Sequence, residues 1–388
     1  MQGFCYYYNL YMKKSILFIM HMPPPIHGAA MMGKYIHDSK LVKEKFDCHF
    51  INLSTAKGLN DIGKVGFKKM IHFVKLLKHI HKEVKQSRPQ LVYVTPNACG
   101  GAFYKDFIVV EMLKRMGCKV IVHYHNKGVA TRQNRMFDDM LYRKFFNEIK
   151  VILLAENLYA DIKKYVKRED VVICNNGIPD IHPGHISETK NPSDRLRILY
   201  LSNMMEEKGV WVLLEACRIL KGKGLDFTCR FVGGWKDITE DVFYEKVLAS
   251  ELTVSTPNHI NNEATIIALG PKYGDDKSKC FNQSDVFVFP TFYHNECFPL
   301  VLLEAMQYGL ACISTNEAGI PDIIDNGKTG LIVSKKDSVA LANSIEKLIN
   351  DRKLCWQMGQ AGRKKYEEKF TLDVFERNIC QILEEYSK

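Results

Sequence analysis

The sequence predicts an α/β chain of two doubly wound domains, each a parallel sheet with helices on both faces. Three observations carry this. Short β-branched or aromatic runs alternate with segments of helical period through both halves. The strand-like runs are almost wholly apolar, as strands buried on both faces are. A length of 388 residues is enough for two domains, each with its own core.

In the first half the expected strands are residues 15–20, 48–53, 91–95, 120–125, 151–155 and 171–174. In the second they are residues 196–202, 227–232, 266–269, 286–290, 311–315 and 330–333. Between the halves, residues 179–195 hold Pro179, Pro183, Gly184 and Pro192 without hydrophobic periodicity, which reads as a linker. The expected division is a first domain over 12–180, a linker over 181–195 and a second domain over 196–370. Residues 372–388 place Leu372, Phe375, Ile379, Ile382 and Leu383 at helical spacing, and this helix is expected to pack back on the first domain. At the start, Lys13 and Lys14 precede the apolar run 16–20, and three prolines follow it. A secretory signal would end instead in a small-residue cleavage site. Residues 14–20 are therefore read as the first strand and residues 1–11 as a dispensable extension.

Composition narrows the function classes. With 46% hydrophobic and 25% charged residues the chain is neither disordered nor fibrous. No apolar run approaches the ~20 residues of a membrane span. Twelve cysteines occur without a C-x-x-C pair, so buried thiols in a reducing cytoplasm are expected. The net charge of +10 resides wholly in the first half: residues 1–180 carry 29 Lys and Arg against 15 Asp and Glu, and residues 181–388 carry 25 against 29. That half is expected to face something anionic. Residues 63–88 concentrate the effect, with Lys64, Lys68, Lys69, Lys75, Lys78, Lys82, Lys85 and Arg88 against Glu83 alone. Phe67, Met70, Ile71, Val74, Leu77, Ile80 and Val84 recur at helical spacing and are expected to lie on the sheet. The lysines then suit an anionic membrane surface. Nucleic acid is disfavoured, because no binding motif or interleaved aromatic residue accompanies them.

The segment with most chemistry runs from Thr291 to Met306. A strand ending at Pro290 leads into a loop, and Pro299 suits the first turn of a helix over 299–308 that Gly309 stops. The loop thus lies at the carboxyl end of a parallel strand, where open α/β sheets bind ligands. Free N–H groups at the helix start can hold a diphosphate without a metal ion. Glu296 is free to reach a sugar hydroxyl, and Glu304, one turn into the helix, can accept both hydroxyls of a ribose. Two glutamates at this spacing would alone be an unremarkable surface residue and a helix salt bridge.

Their surroundings decide otherwise. Residues 296–333, E-C-F-P-L-V-L-L-E-A-M-Q-Y-G-L-A-C-I-S-T-N-E-A-G-I-P-D-I-I-D-N-G-K-T-G-L-I-V, closely resemble the donor domain of glycosyltransferase family 4. These are retaining enzymes of the GT-B fold, with glycogen-synthase-like donor domains and two Rossmann-like domains facing across a cleft. Weaker similarity extends from Lys14 over nearly the whole chain. The resemblance implies that Glu296 contacts the transferred sugar and Glu304 the ribose. It also implies that main-chain amides around Phe298, Pro299 and Leu300 contact sugar or diphosphate.

Further matches follow. Leu201–Gly209 resembles the family's pyrophosphate turn, G-R-x-x-x-E-K-G, so Lys208 is expected to neutralise the diphosphate, including charge that builds up as the sugar leaves. Asn203 stands where an arginine is usual, which removes one charged phosphate contact. Gly233, after a strand, is expected to let backbone approach the nucleotide, and the loop bearing Lys272 to flank the base. Gly28 belongs to a loop resembling the one beneath the donor sugar and phosphates. No G-x-G-x-x-G is present, which argues against a dinucleotide enzyme. His125 resembles the family's histidine at the cleft and is expected to act in the site. His123 is expected to point to the opposite face and be structural. Asn176-Gly177 matches an N-G turn before the linker.

The resemblance implies transfer of a sugar, with retention, from a nucleoside diphosphate to a saccharide or lipid-linked acceptor. No cofactor or metal is expected, since no D-x-D motif occurs. The implied setting is the cytoplasm, with peripheral attachment to the inner face of the membrane. The alternatives are a sugar-nucleotide epimerase of the same architecture, a phosphorylase-like enzyme needing a pyridoxal-binding lysine, and a non-catalytic membrane- or nucleic-acid-binding module.

Overall fold

The structure is a computed structural model that describes residues 13–24, 27–53, 67–181, 195–256 and 263–388. The expected extension at residues 1–11, most of the linker and Lys64 lie outside the described residues. Two compact units form: Met1–Asn176 together with Leu372–Lys388, and Gly177–Thr371.

In the first unit β1 (Lys14–Met20), β2 (Phe46–Asn52), β3 (Leu91–Val94), β4 (Val120–His123), β5 (Lys150–Leu153) and β6 (Val171–Ile173) form a sheet of order β2-β1-β3-β4-β5-β6. All its pairs are parallel. The longer helices are α1 (Gly28–Asp38), α2 (Lys40–Lys45), α3 (Phe67–Ser87), α4 (Gly100–Arg115) and α5 (Met136–Phe146). In the second unit β7 (Leu196–Leu201), β8 (Phe227–Val232), β9 (Val254–Ser255), β10 (Ile266–Ala268), β11 (Val286–Phe289), β12 (Ala311–Thr315) and β13 (Gly330–Val333) follow the order β13-β12-β11-β7-β8-β10-β9. This sheet is parallel too. Its longer helices are α6 (Val210–Gly222), α7 (Glu240–Ala249), α8 (Gly274–Asn282), α9 (Leu300–Gln307), α10 (Ser338–Asn350) and α11 (Arg352–Lys369). The final helix α12 (Leu372–Tyr386) contacts α2, and Lys45 pairs with Glu384 at 2.6 Å.

The reason for two parallel sheets is in the strands. β3, β4 and β11 are buried at every residue, so both faces must be covered. Each sheet also reverses its winding once. Strand order changes direction between β1 and β3 in the first unit, and between β7 and β11 in the second. Such switch points leave a crevice outside the carboxyl ends of the strands. The expected two doubly wound, Rossmann-like units are therefore present. β9, two residues at a sheet edge, carries too little pattern to be read in advance.

Three expectations are corrected. The apolar stripe of α3 does not lie on the sheet along its length. Leu76, Ile80 and Val84 are buried, but Met70, Ile71 and Val74 are 59%, 44% and 46% exposed. Strand β4 stops at His123, so His125 lies in the loop beyond it. The helix after β11 starts at Leu300, and Pro299 is its capping residue rather than its first member.

Eleven cysteines are described, and all are free thiols. Eight of them are buried, which agrees with a packing role.

Candidate active site

In the second unit the switch point brings together the loops after β7 and β11. The turn after β7 ends at Gly209, whose φ of 86° is left-handed. A side chain there would also collide with the Pro290 carbonyl and ring, so glycine alone lets the two loops touch. Phe292 N–H donates to the Glu207 carbonyl at 2.8 Å, fastening the contact. The result is that Lys208 Nζ lies 2.6 Å from Glu296 Oε2, with only 15% and 12% of these side chains exposed. Lys208 also stands 4.3 Å over the Tyr293 ring. A mostly desolvated cation held against a carboxylate and an aromatic face is fixed in place before any ligand arrives.

Beside this pair begins α9. No side chain caps its N-terminus, so its first amides stay available to an anion. Phe298 and Pro299 are buried, and Phe298 packs edge-on against Phe370 at 5.7 Å. Only main-chain groups of these two residues can therefore meet a ligand, while Leu300 is half-buried. One turn on, Glu304 Oε1 accepts from Lys277 Nζ of α8 at 2.6 Å. Nothing in the sequence places Lys277 there: 27 residues separate the partners, and only the packing of α8 beside α9 joins them. Tyr293 and the His294–Glu207 pair at 3.1 Å were likewise not singled out.

Asn203 is exposed in the turn after β7. Gly233 fits against this turn because any side chain would collide with the Ser202 carbonyl, and Met204 N–H donates to the Gly234 carbonyl at 2.8 Å. Gly233 N–H in turn donates to the Gly270 carbonyl at 3.0 Å, so the loop with half-buried Lys272 joins the same edge. The glycines thus have one physical task, close approach of neighbouring loops.

The first unit has a polar cluster of its own at its switch point. His21 N–H after β1 donates to Thr95 Oγ1 after β3 at 3.1 Å. Gly28 is exposed at the start of α1, where His27 caps the helix through Ala30 N–H. His123 is fully buried, with Nδ1 2.6 Å from the Tyr93 hydroxyl, which fits a structural role. Its orientation is not as expected: side chains two apart along an extended chain share a face, and the rings of His123 and His125 lie 4.3 Å apart. Neither ring nitrogen of His125 has a hydrogen-bond partner, nor does the buried amide oxygen of Asn176. Unsatisfied polar atoms at the carboxyl end of a parallel sheet are what a ligand's hydroxyls can satisfy.

Burial pushes His125 down to about 3 and His21 down to about 4. His27 is lowered and His123 lies far below the usual range for the same reason. These imidazoles are neutral when folded but take up protons below 6.5 when unfolded. The unfolded state then binds more protons, so these histidines make stability rise with pH from about 3 to 6.5 and contribute a constant amount above. Urea midpoints at pH 5 and 7 are expected to show this slope, and His125→Gln to make it shallower. An unchanged slope in that variant would mean that His125 takes up its proton alike in the folded and unfolded states.

Comparison with known proteins places the second unit. Residues 184–365 match the family described as glycosyl transferases group 1. The matched segment lies within the second unit. The chain is 34% identical over 182 residues to the capsular polysaccharide biosynthesis glycosyltransferase CapM of Staphylococcus aureus, covering 47% of this chain and 44% of CapM. The putative colanic acid biosynthesis glycosyltransferase WcaL of Escherichia coli K12 is 25% identical over 71% of this chain and 68% of its own length. Among solved structures, HepE of Anabaena in complex with UDP superposes with a TM-score of 0.70 at 15% identity, covering 96% of this chain and all of HepE. That last likeness is one of fold. The matched segment contains Lys208, Glu296, Glu304 and Lys277, so the two ion pairs described above both lie within it.

Proposed function

We propose that this chain is a retaining glycosyltransferase that moves a sugar from a nucleoside diphosphate to a hydroxyl of a saccharide or lipid-linked acceptor, in the synthesis of a cell-surface polysaccharide. The observation that most supports it is the Lys208–Glu296 pair beside the uncapped start of α9. In this reading Lys208 meets the diphosphate with the amides near Phe298–Leu300, Glu296 turns to the transferred sugar, and Glu304 holds the ribose. Gly28, Asn203, Gly233 and Lys272 border the donor, and His125 offers its unpartnered nitrogens to sugar hydroxyls. The UDP bound by HepE, and the polysaccharide pathways in the names of CapM and WcaL, support the donor and acceptor classes.

In the proposed step the bond between the anomeric carbon and the diphosphate oxygen breaks. The acceptor oxygen bonds to the same face of that carbon, and its proton passes to the leaving diphosphate. No protein nucleophile is needed. Charge on the leaving group is met by Lys208 and helix amides, so the scheme includes no metal ion. The chain works in the cytoplasm at the inner face of the membrane. No helix among the described residues is long and apolar enough to cross a bilayer.

Titration calorimetry with UDP, GDP and ADP, with and without a chelator, tests the donor site. Binding of at least one, undiminished by chelation, is expected; failure to bind any of them overturns the proposal. Incubating the matching nucleotide sugar without acceptor tests the epimerase alternative, which predicts an epimer or free sugar as product.

A further inference from the structure

The first unit carries an apolar ridge that its own core does not use. Met136, Phe137 and Met140 on the first turns of α5 are 88%, 59% and 56% exposed. Met70, Ile71 and Val74 in the first half of α3 are exposed as well, and Ile108 on α4 is 46% exposed. Sheet order explains why these belong together. The crossovers β2 to β3, β3 to β4 and β4 to β5 all step in one direction across the sheet. Right-handed crossovers in one direction put α3, α4 and α5 on one face. Each helix runs against the strands, so the first halves of α3 and α5 lie toward the carboxyl ends of the strands. His21 and His125 stand at those same ends.

The ridge is set in positive charge. Lys75, Lys78, Lys82 and Lys85 on α3 are exposed, as is Arg135 just before α5. The nearby carboxylates are already neutralised: Glu111 by Lys114 and Lys144 at 3.2 and 3.3 Å, Asp139 by Arg143 and Lys164 at 2.9 and 2.6 Å. Long basic side chains around protruding Met and Phe suit a surface that is anionic outside and apolar just beneath. A second copy of the same face would bring like charges together.

We propose that this face of the first unit docks on an anionic lipid bilayer, with Met136, Phe137 and Met140 entering the interface and the α3 lysines meeting headgroups. This deepens the reading above and rests on it in one respect: it brings the carboxyl edge of the first sheet to where a lipid-linked acceptor is displayed.

Flotation of the full chain with phosphatidylcholine vesicles, with and without phosphatidylglycerol, tests the idea. Binding is expected only with phosphatidylglycerol and is expected to weaken as salt is raised. Lys78→Gln and Lys82→Gln should each lower partitioning about fivefold. Phe137→Ser with Met140→Ser should lower it by at least about tenfold at every salt concentration. Leu248→Ser, a 65% exposed leucine of the second unit, should have no effect. Calorimetry with UDP on the same proteins separates the two readings. A chain that binds vesicles but no nucleotide leaves the docking face standing and removes the donor site. Nucleotide binding without vesicle binding overturns the docking face, as does a Phe137/Met140 variant that floats like wild type. A dimer that this variant converts to monomer would assign the ridge to a second copy and also overturn the proposal.

Discussion

Replacing Lys208 by methionine is expected to lower kcat by about a hundredfold to a thousandfold while changing UDP affinity far less. The expectation rests on where the cation stands. Its ammonium lies 2.6 Å from Glu296 and 4.3 Å from the Tyr293 ring centre, with 15% of the side chain exposed. In the proposed step, charge that builds on the departing diphosphate would be stabilised by a donor already fixed and poorly hydrated, whereas the bound ground state would draw on solvent and on the α9 amides. Methionine keeps the packing of the lysine stem and removes only the charge. The same substitution leaves Glu296 without its partner in a half-buried place, so the single variant combines two effects. Glu296→Gln and the double variant resolve them: if the two residues act as a unit, the double variant is no slower than the worse single one. Full activity in both single variants would show that chemistry occurs elsewhere.

The parts of this molecule that could be read in advance are those determined by short stretches of chain. Strands such as 91–95 and 286–290 announce themselves because both faces are buried, leaving no room for polar residues. The loop from Thr291 to Pro299 could be placed at a strand end because strand, proline and helix follow one another directly. What could not be read depends on packing between distant segments. Lys277 reaches Glu304 only because α8 lies beside α9. The exposed half of α3 looks in sequence like the buried half, since Met70 and Val74 keep the same spacing as Ile80 and Val84. Periodicity shows that a helix has an apolar face but not how much of that face its neighbour covers. His123 and His125 lie on one side, as their two-residue spacing requires, and not on the opposite faces expected.

A second large effect is expected at Glu304, whose replacement by alanine should weaken UDP binding about tenfold to a hundredfold, the value of charge-assisted hydrogen bonds to a ribose. In the free protein one carboxylate oxygen, Oε1, is held by Lys277 at 2.6 Å, and both side chains are a little under one-third exposed. Two roles for Lys277 are physically distinct. If it positions the carboxylate, Lys277→Met leaves Glu304 free to rotate into solvent and UDP binds several times more weakly. If it instead occupies the place of the ribose, the same substitution removes a competitor and UDP binds more tightly. The geometry favours positioning, because Oε2 remains open and each carboxylate oxygen can accept more than one hydrogen bond. The Lys277→Met change made in the Glu304→Ala background should then have no further effect on affinity, since the lysine would act only through the glutamate. Tighter binding by Lys277→Met would sink the positioning role, and unchanged binding by Glu304→Ala would remove the ribose from α9 altogether.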